Sequence, residues 1–237
     1  MIHTAQTSHI GSNFSCIDIL AVLSRVAKEH KTIFSKGWVA AGVYCMLVEQ
    51  GVIPESDLDL YCAEGSPYIG LVEPTVTGID CAGGSMGYGL PFGVGFALAY
   101  KMRHSDKRVF VLMSDGEQAI GTTWESAALA AHHKLDNLVV VIDKNNLQAM
   151  GSTKDVLDME PLADKWRAFG WEVRNIDGHG YVAISRALLK PSRNRKPIVI
   201  IANTVKGKGV SFMENDNLWH YWHVDDATYE KALAELV

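Results

Sequence analysis

Apolar strands that alternate with helices in the C-terminal half of the chain are the feature that most constrains its fold. The predicted strands cover residues 108–113, 138–144, 171–177 and 197–203. The predicted helices between them cover residues 123–134, 161–170 and 181–190. Because fully apolar strands separated by helices are typical of buried parallel sheets, the pattern predicts an α/β fold with helices on both faces of a parallel sheet. Right-handed crossovers then bring the carboxyl ends of the strands to one edge, where such folds bind ligands.

Two segments upstream add a helix and a glycine-rich loop to this prediction. The stretch "SCIDILAVLSRVAKEH" has helical periodicity, and "CAGGSMGYGLPFGVGFALAYKM" is typical of a glycine-rich loop that leads into an apolar helix. A chain of 237 residues, of which 48% are hydrophobic, can bury one large core. Since we find no internal repeat or linker, we expect residues 1–237 to form a single domain.

Charge and cysteine content argue against several classes of protein. The formal net charge of −5 gives no electrostatic reason to bind nucleic acid or an anionic membrane. The four cysteines form no C-x-x-C pair, which argues against a zinc site or a disulfide framework. No apolar stretch has the length of a membrane span, and the first residues lack the pattern of a signal peptide. We therefore expect a soluble, cytoplasmic protein.

An acidic residue follows one predicted strand, and an amide follows the next. In "VFVLMSDGEQ" the strand stops before Asp115, and Asn145 of "IDKNN" lies thirty residues later. Most Asp-Gly pairs are ordinary turns, but one strand–helix–strand unit would bring these two side chains to the same edge of the sheet. Mg²⁺ prefers oxygen ligands and usually combines few protein ligands with phosphate oxygens. The spacing therefore predicts a Mg²⁺ site completed by a diphosphate. Gly116 would let this diphosphate approach the backbone closely.

The sequence around these residues resembles the thiamine diphosphate motif of transketolases, especially the N-terminal, diphosphate-binding subunit of split transketolases. The similarity continues through "TSHIGSNFSCIDIL", "FSKG", "GIDCAGGSMGYGLPFGVG", "NIDGHG" and "TVKGKGVSFMENDNLWH", which together extend over nearly the whole chain. The resemblance implies the diphosphate-binding type of thiamine diphosphate fold. It also implies transfer of a two-carbon ketol unit from a ketose or ketose phosphate to an aldose, with Mg²⁺, or Ca²⁺ or Mn²⁺ as substitutes.

The resemblance assigns roles to individual residues. Asp115, Asn145 and the backbone carbonyl of Leu147 would bind the metal and contribute to the cofactor site. The other cofactor contacts would come from Gly84, Ser85, Met86, and the amides of Gly116 and Glu117. His9 and His220 match positions where transketolases place active-site histidines near cofactor and substrate.

Other candidate residues have competing structural interpretations. The glycines of "GGSMGYG" suit tight packing of helix against strand as well as cofactor contact, and "KGKG" suits either a mobile loop or a phosphate-binding loop around Lys206. His132 and His133 lie in the last turn of a predicted helix, where a structural role is favoured. His179 is more typical of a loop or sheet edge.

Departures from the family pattern bear on activity. Ser114 stands where the family has the first glycine of Gly-Asp-Gly, and Ile120 stands where split transketolases carry a glutamate that links two active sites. Trp38 stands where the family has a substrate-binding histidine, and "SPYIGLVEP" offers no match for a second one. Because an indole cannot fully hydrogen-bond a hydroxyl group, Trp38 suits a less hydroxylated donor fragment, such as acetyl from a pyruvate-like molecule. The alternative is that Trp38 packs beside an otherwise normal site.

The resemblance also implies a second polypeptide. In the family, the glutamate that activates the cofactor comes from a pyrimidine-binding domain, whereas this chain ends at "ATYEKALAELV", just after the diphosphate-binding half. We therefore expect a separate C-terminal transketolase-like subunit that carries this domain, an α2β2 assembly, and no turnover by this chain alone.

Two other hypotheses stay open at this point. The "NN" at 145–146 also suits the α-subunit of a 2-oxoacid decarboxylase or dehydrogenase. A non-catalytic module that binds Mg²⁺ or a nucleotide, like a receiver domain, would need only one acidic sheet edge. A neighbouring gene for a chain with a pyrimidine domain would favour the enzyme over this binding module.

Overall fold

The computed structural model describes residues 1–236 and contains a five-stranded parallel sheet. The strands are β1 (Lys31–Phe34), β2 (Val109–Ser114), β3 (Leu138–Lys144), β4 (Glu172–Asp177) and β5 (Ile198–Asn203). The helices are α1 (Ile10–Val26), α2 (Ala40–Glu49), α3 (Gly89–Met102), α4 (Gly121–His132), α5 (Thr153–Leu157), α6 (Leu162–Ala168), α7 (Tyr181–Leu189) and α8 (Asp226–Leu236). The order across the sheet is β1-β2-β3-β5-β4, and every neighbouring pair is parallel.

The structure confirms the predicted parallel sheet and adds one strand to it. Strands β2 to β5 coincide with the four predicted strands to within one residue at each end. Strand β1 is missing from the prediction because its four residues, "KTIF", are too few to show a clear apolar pattern. Helix α2 is likewise missing from the prediction, although its buried residues make it part of the core.

The helices cover both faces of the sheet and build a core on each. Side chains that alternate along β2 divide between the two faces. Phe110 and Leu112 pack in a cluster with residues of α1, α2 and α7. Val109, Val111 and Met113 pack in a second cluster with residues of α3, α4 and α6. Burial of both sets explains why the strand is apolar throughout. None of the helices in residues 1–236 is long and apolar enough to cross a membrane.

The strand register places the residues that follow β1, β2, β3 and β5 along one edge of the sheet. Ser114 at the end of β2 pairs with Asp143 in β3, and Asp143 pairs in turn with Ala202 in β5. Asp115 and Asn145 therefore leave neighbouring strands at this edge, as their spacing in the sequence predicts.

Candidate functional site

Asp115 lies at the carboxyl end of β2, where the chain turns into a short 3₁₀ segment. Its Oδ1 accepts a hydrogen bond from the backbone N–H of Gly116 (2.8 Å), and its Oδ2 accepts one from Asn146 (2.6 Å). Burial and the carboxylate of Asp143 raise the pKa of Asp115 to about 7, although the two N–H groups and Lys36 act in the opposite direction. A bound cation would therefore stabilise the charged form of this carboxylate.

The neighbours of Asn145 permit only one orientation of its amide. Nδ2 donates to Ser15 Oγ (3.0 Å) and to Asp143 Oδ2 (3.3 Å). Oδ1 accepts from the backbone N–H of Leu147 (2.9 Å). Because a carboxylate only accepts and a backbone N–H only donates, a flipped amide would lose these contacts. Oδ1 is thus the amide atom that could bind a metal, and the nearby Leu147 carbonyl accepts no backbone hydrogen bond within residues 1–236.

A buried ion pair behind Asn145 is a feature that the sequence analysis missed. Asp143 is fully buried, and its carboxylate accepts hydrogen bonds from Ser15 Oγ at 2.7 and 2.8 Å. The same carboxylate contacts Lys36 Nζ and the hydroxyl of Thr204. Lys36, which follows β1, also donates to the carbonyl of Ser12 (3.1 Å). The signal for this pair is the acidic residue inside the apolar strand "LVVVID", because a buried carboxylate needs partners.

A cavity of about 320 Å³ opens at this edge of the sheet. Its lining includes the following predicted site residues: His9, Trp38, Met86, Asp115, Gly116, Asn145, Leu147 and His220. The cavity thus brings together the ends of β2 and β3, the start of α1, the glycine-rich loop and the 3₁₀ segment at residues 217–220. Lys36, Gln148, Met150 and Tyr221 also line it and are absent from the sequence prediction.

Three residues predicted to contact the cofactor do not line this cavity: Gly84, Ser85 and Glu117. The first two are exposed in the glycine-rich loop. The carboxylate of Glu117 is fully buried and accepts hydrogen bonds from the backbone N–H groups of Ser114 and Gly87, both at 2.8 Å. It also accepts one from the hydroxyl of Ser35. The Glu117 side chain therefore ties the loop to the ends of β1 and β2, and cofactor contact by these three residues stays a prediction.

Close packing requires glycine at two positions where the segment after β1 meets the glycine-rich loop and the start of α3. A Cβ atom at Gly37 would lie 2.0 Å from the carbonyl oxygen of Gly83, and one at Gly89 would lie 2.3 Å from the Cβ of Ser35. Side chains at these positions would push the loop away from the segment that follows β1. Met86 is the residue of "GGSMGYG" that reaches the cavity.

His9 and His220 contact each other in the cavity wall. Their ring centroids are 4.7 Å apart, and the backbone N–H of His9 donates to the carbonyl of His220 (3.0 Å). Ser8 Oγ lies 2.7 Å from His9 Nδ1. Burial and the positive charges of Lys206 and Lys36 lower the pKa of His9 to about 4. Burial and Lys206 lower the pKa of His220 to about 3, so both rings are neutral at neutral pH.

Trp38 stacks on His9 and shares the cavity wall with it. The indole and imidazole centroids are 4.7 Å apart with an angle of 10° between the rings. Tyr221 meets the same imidazole edge-on at 5.6 Å. Trp38 is 47% exposed, so one part of the indole packs on the histidine while another faces solvent. The structure therefore places this substitution directly against a candidate active-site residue.

The lysines of "KGKG" have different environments. Lys206 is buried, and its Nζ donates to Asn217 Oδ1 (2.9 Å) and lies 2.8 Å from His220 Nδ1. Burial and the charge of Lys36 lower the pKa of Lys206 to about 8. Lys208 is exposed and pairs with Glu214 (3.0 Å). The interpretation as a solvated loop thus holds for Lys208 but not for Lys206.

The other histidines considered in the sequence lie away from the cavity. His132 and His133 are exposed at the end of α4. His179 bridges two segments, because its Nδ1 lies 2.7 Å from Asp18 Oδ2 and its Nε2 accepts a hydrogen bond from the backbone N–H of Val205 (2.8 Å).

Two departures from the family pattern are accommodated by local packing. Ser114 lines the cavity, and its Oγ accepts a hydrogen bond from the backbone N–H of Glu117 (3.3 Å). Ile120 precedes α4 and packs against the glycine-rich loop, where a Cβ at Gly87 would lie 2.6 Å from Ile120 Cγ2.

The oxygen atoms at this edge fit a Mg²⁺–diphosphate group. Asp115, Asn145 and Leu147 line one cavity and offer a carboxylate, an amide oxygen and a backbone carbonyl, which are hard ligands. In the described part of the chain, no group of three or more His, Cys, Asp or Glu side chains could hold a metal by itself. A metal bound here would therefore complete its coordination with phosphate oxygens and water, as Mg²⁺ commonly does.

Comparison with known proteins identifies the family. The family model described as "Transketolase, thiamine diphosphate binding domain" matches residues 2–229. The chain belongs to the transketolase family.

Several proteins named as single subunits of transketolases align with this chain over most of their own length. One subunit of the apulose-4-phosphate transketolase of Actinobacillus succinogenes is 40% identical over 240 residues, which cover 96% of this chain and 87% of that protein. The corresponding subunit from Phocaeicola vulgatus is 36% identical over 248 residues, with coverage of 100% and 88%. The 6-deoxy-6-sulfo-D-fructose transketolase subunit SqwG of Clostridium sp. is 35% identical over 241 residues, with coverage of 96% and 88%.

The crystal structure of transketolase from Campylobacter jejuni shares the fold, with a TM-score of 0.83 and 25% sequence identity. The match covers 100% of this chain but 43% of that transketolase, so the chain spans less than half of its length. These comparisons confirm the transketolase resemblance and the α/β thiamine diphosphate-binding fold, and they place the chain among transferases. They favour neither a 2-oxoacid enzyme nor a non-catalytic module.

Proposed function

We propose that this chain is the diphosphate-binding subunit of a split transketolase, which transfers a two-carbon ketol unit from a ketose or ketose phosphate to an aldose. The observation that carries the proposal is the cavity at the sheet edge, which Asp115, Asn145, His9 and His220 all line. Relatives whose names specify apulose 4-phosphate and 6-deoxy-6-sulfo-D-fructose support a sugar donor rather than a pyruvate-like one.

In this proposal the chain supplies the metal ligands and part of the cofactor site. The carboxylate of Asp115, Oδ1 of Asn145 and the carbonyl of Leu147 hold Mg²⁺. Ser15 and Asp143 support the site because they bind the Nδ2 of Asn145 and keep Oδ1 available. When bound, thiamine diphosphate supplies the electron sink that cleavage of a ketose carbon–carbon bond requires.

His9 and His220 act on the substrate as neutral hydrogen-bonding groups. Because their pKa values lie well below neutrality, each ring keeps one N–H donor and one acceptor nitrogen. Such groups suit the hydroxyl and carbonyl oxygens of a sugar. We assign Trp38 to the substrate pocket as well, where its apolar face, stacked on His9, limits which part of a donor can lie beside that imidazole.

The proposal requires a partner chain. Relatives that are themselves named as subunits of a transketolase support a divided enzyme. A second polypeptide that carries a pyrimidine-binding domain and its activating glutamate would complete the site, in a cytoplasmic α2β2 assembly.

Reconstitution tests this function. The chain is co-purified with the product of a neighbouring gene that encodes a pyrimidine domain, and transfer from xylulose 5-phosphate and other ketose phosphates to ribose 5-phosphate is assayed with Mg²⁺ and thiamine diphosphate. We expect transfer by the mixture and none by either chain alone. Turnover by this chain alone, or a complex that uses only 2-oxoacids, would refute the proposal.

The metal assignment predicts the effect of one substitution. Asp115→Asn should weaken Mg²⁺-dependent binding of thiamine diphosphate to the complex by about 100-fold or more, because it removes a charged metal ligand. Even the loss of a residue that only hydrogen-bonds to a metal ligand typically lowers metal affinity by about 10–100-fold. Isothermal titration calorimetry measures the affinity. Asp106→Asn, which alters an exposed carboxylate, is the control and should bind like the wild type. Equal affinities for both variants would exclude Asp115 from the site.

A further inference from the structure

Lys206 is a buried cation that metal and cofactor binding, as proposed above, does not use. The residue is 1% exposed, and it does not itself line the cavity. Its Nζ lies 2.8 Å from Nδ1 of His220 and 2.9 Å from Oδ1 of Asn217. The ammonium group of Lys206 therefore hydrogen-bonds to a histidine of the cavity wall rather than to solvent.

The chemistry of the ammonium group determines the state of the imidazole. An ammonium carries only donors, so its contact with Nδ1 of His220 requires a lone pair on that nitrogen. Nδ1 is therefore unprotonated. His220 stays neutral because burial and the adjacent Lys206 oppose a second positive charge, which lowers its pKa to about 3. A neutral ring without a proton on Nδ1 carries it on Nε2.

The backbone around Lys206 is held on both sides. The N–H of Val205 donates to Nε2 of His179 (2.8 Å), and the N–H of Gly207 donates to the carbonyl of Gly11 at the start of α1 (3.0 Å). Gly207 adopts a φ of +78°, and a Cβ there would lie 2.3 Å from the carbonyl oxygen of Met213. Only glycine suits this position, so the observed loop conformation, which brings the lysine to His220, depends on Gly207.

We propose that Lys206 is a positioning residue that fixes His220 as the Nε2–H tautomer, so that His220 presents a hydrogen-bond donor to an oxygen atom of the sugar substrate. The tautomer depends only on contacts within this chain. The role toward a sugar rests on the proposed function. At its first lysine, "KGKG" is therefore not a solvated loop, because the Lys206 side chain is buried beside His220.

Nitrogen NMR tests the tautomer directly. The chain is labelled with ¹⁵N-histidine, long-range ¹H–¹⁵N correlation spectra are recorded at neutral pH, and His220→Gln identifies the His220 signals. The wild type should show an unprotonated Nδ1 and a protonated Nε2. Lys206→Met, which keeps the length of the side chain but removes the donor, should populate both tautomers. Lys208→Met, in the same loop but exposed, is the matched control and should retain the wild-type pattern.

Kinetics of the reconstituted complex test the role. Lys206→Met should lower kcat/KM for the ketose phosphate by about tenfold or more, as expected for one misplaced hydrogen bond, while the affinity for thiamine diphosphate stays near the wild-type value. Lys208→Met should change neither. A protonated Nδ1 in the wild type would overturn the inference, and this measurement does not require Lys206→Met to fold. An unchanged tautomer together with an unchanged kcat/KM in Lys206→Met would also overturn it. If the complex has no transketolase activity but the tautomer is as expected, the proposed function fails while the tautomer assignment stands.

Discussion

His9 and His220 lie near two buried ammonium groups, those of Lys206 and Lys36. These charges oppose protonation of either ring, and burial acts in the same direction. An unperturbed histidine titrates near pH 6.5, about the middle of the physiological range. At this cavity the same side chain therefore serves as a neutral donor and acceptor rather than as a cation.

This arrangement predicts that the two histidines reduce the stability of the folded chain in mild acid. In the unfolded chain both histidines bind protons below about pH 6.5, whereas in the folded chain His9 binds one only near pH 4 and His220 only near pH 3. At these two rings the unfolded state therefore binds more protons below about pH 6.5, and their contribution to the free energy of unfolding decreases as the pH falls through that range. Asp115, whose pKa is raised to about 7, contributes in the opposite direction. Urea denaturation at about pH 7 and about pH 5 measures the decrease.

Substitution isolates the contribution of the two rings. A His9→Gln, His220→Gln double variant should lose less stability than the wild type between the two pH values, whatever its absolute stability. A His132→Gln, His133→Gln double variant changes two exposed rings and should keep the wild-type pH dependence. Identical pH dependence in the wild type and the first double variant would show that the cavity histidines are not held neutral.

At the level of elements, helix α3 and strand β2 approach each other closely at a glycine. A Cβ on Gly93 would lie 2.5 Å from Cγ2 of Val111, which is fully buried in β2. Helix α3 continues directly from the glycine-rich loop, so its distance from the sheet also sets the position of Met86 in the cavity wall. Packing between two elements therefore contributes to the geometry of the site.

Gly93→Ala should destabilise the isolated chain by about 1–3 kcal/mol, because the added methyl group overpacks a full core. Gly95→Ala places the same methyl group two residues further along α3, where nothing lies within 4 Å, and is the matched control. It should be neutral or stabilise the chain by up to about 1 kcal/mol through helix propensity. Chemical denaturation measures both values, and a Gly93→Ala variant as stable as Gly95→Ala would contradict the close packing.

At the scale of the whole molecule, the candidate site leaves large apolar side chains uncovered beside the cavity. Four large side chains at the cavity are exposed: Trp38, Met86, Met150 and Tyr221. These exposed side chains agree with a cofactor site that a second polypeptide completes, as proposed above.

This view predicts how the cofactor changes thermal stability. At about 100 times its dissociation constant, a ligand stabilises a folded protein by about 2.7 kcal/mol, which corresponds to an increase in Tm of about 5–10 °C for a chain of this size. Mg²⁺ with thiamine diphosphate should produce such an increase in the complex and less than about 2 °C in the isolated chain. Differential scanning calorimetry gives both values, with the Asp115→Asn complex as the control that should not respond. An equal increase for the isolated chain would indicate a complete site on one polypeptide.

The amino-acid sequence by itself determined the parallel sheet, the edge at which the cavity opens and the meeting of Asp115 with Asn145. These depend on local patterns: apolar strands, intervening helices and a polar residue directly after each strand. The family resemblance added His9 and His220, both of which line the cavity.

Only the tertiary structure decided which polar groups hydrogen-bond to the cavity residues and which candidate residues lie away from the cavity. Ser15 and Asp143 are 128 residues apart in the chain, and Lys36 reaches Asp143 from the segment after β1, a strand too short to be recognised. Lys206 and Lys208 have the same local sequence pattern, yet one is buried beside His220 and the other faces solvent. Local sequence determines where a strand ends, whereas the burial of a charge and its partner depend on segments that only the folded chain brings together.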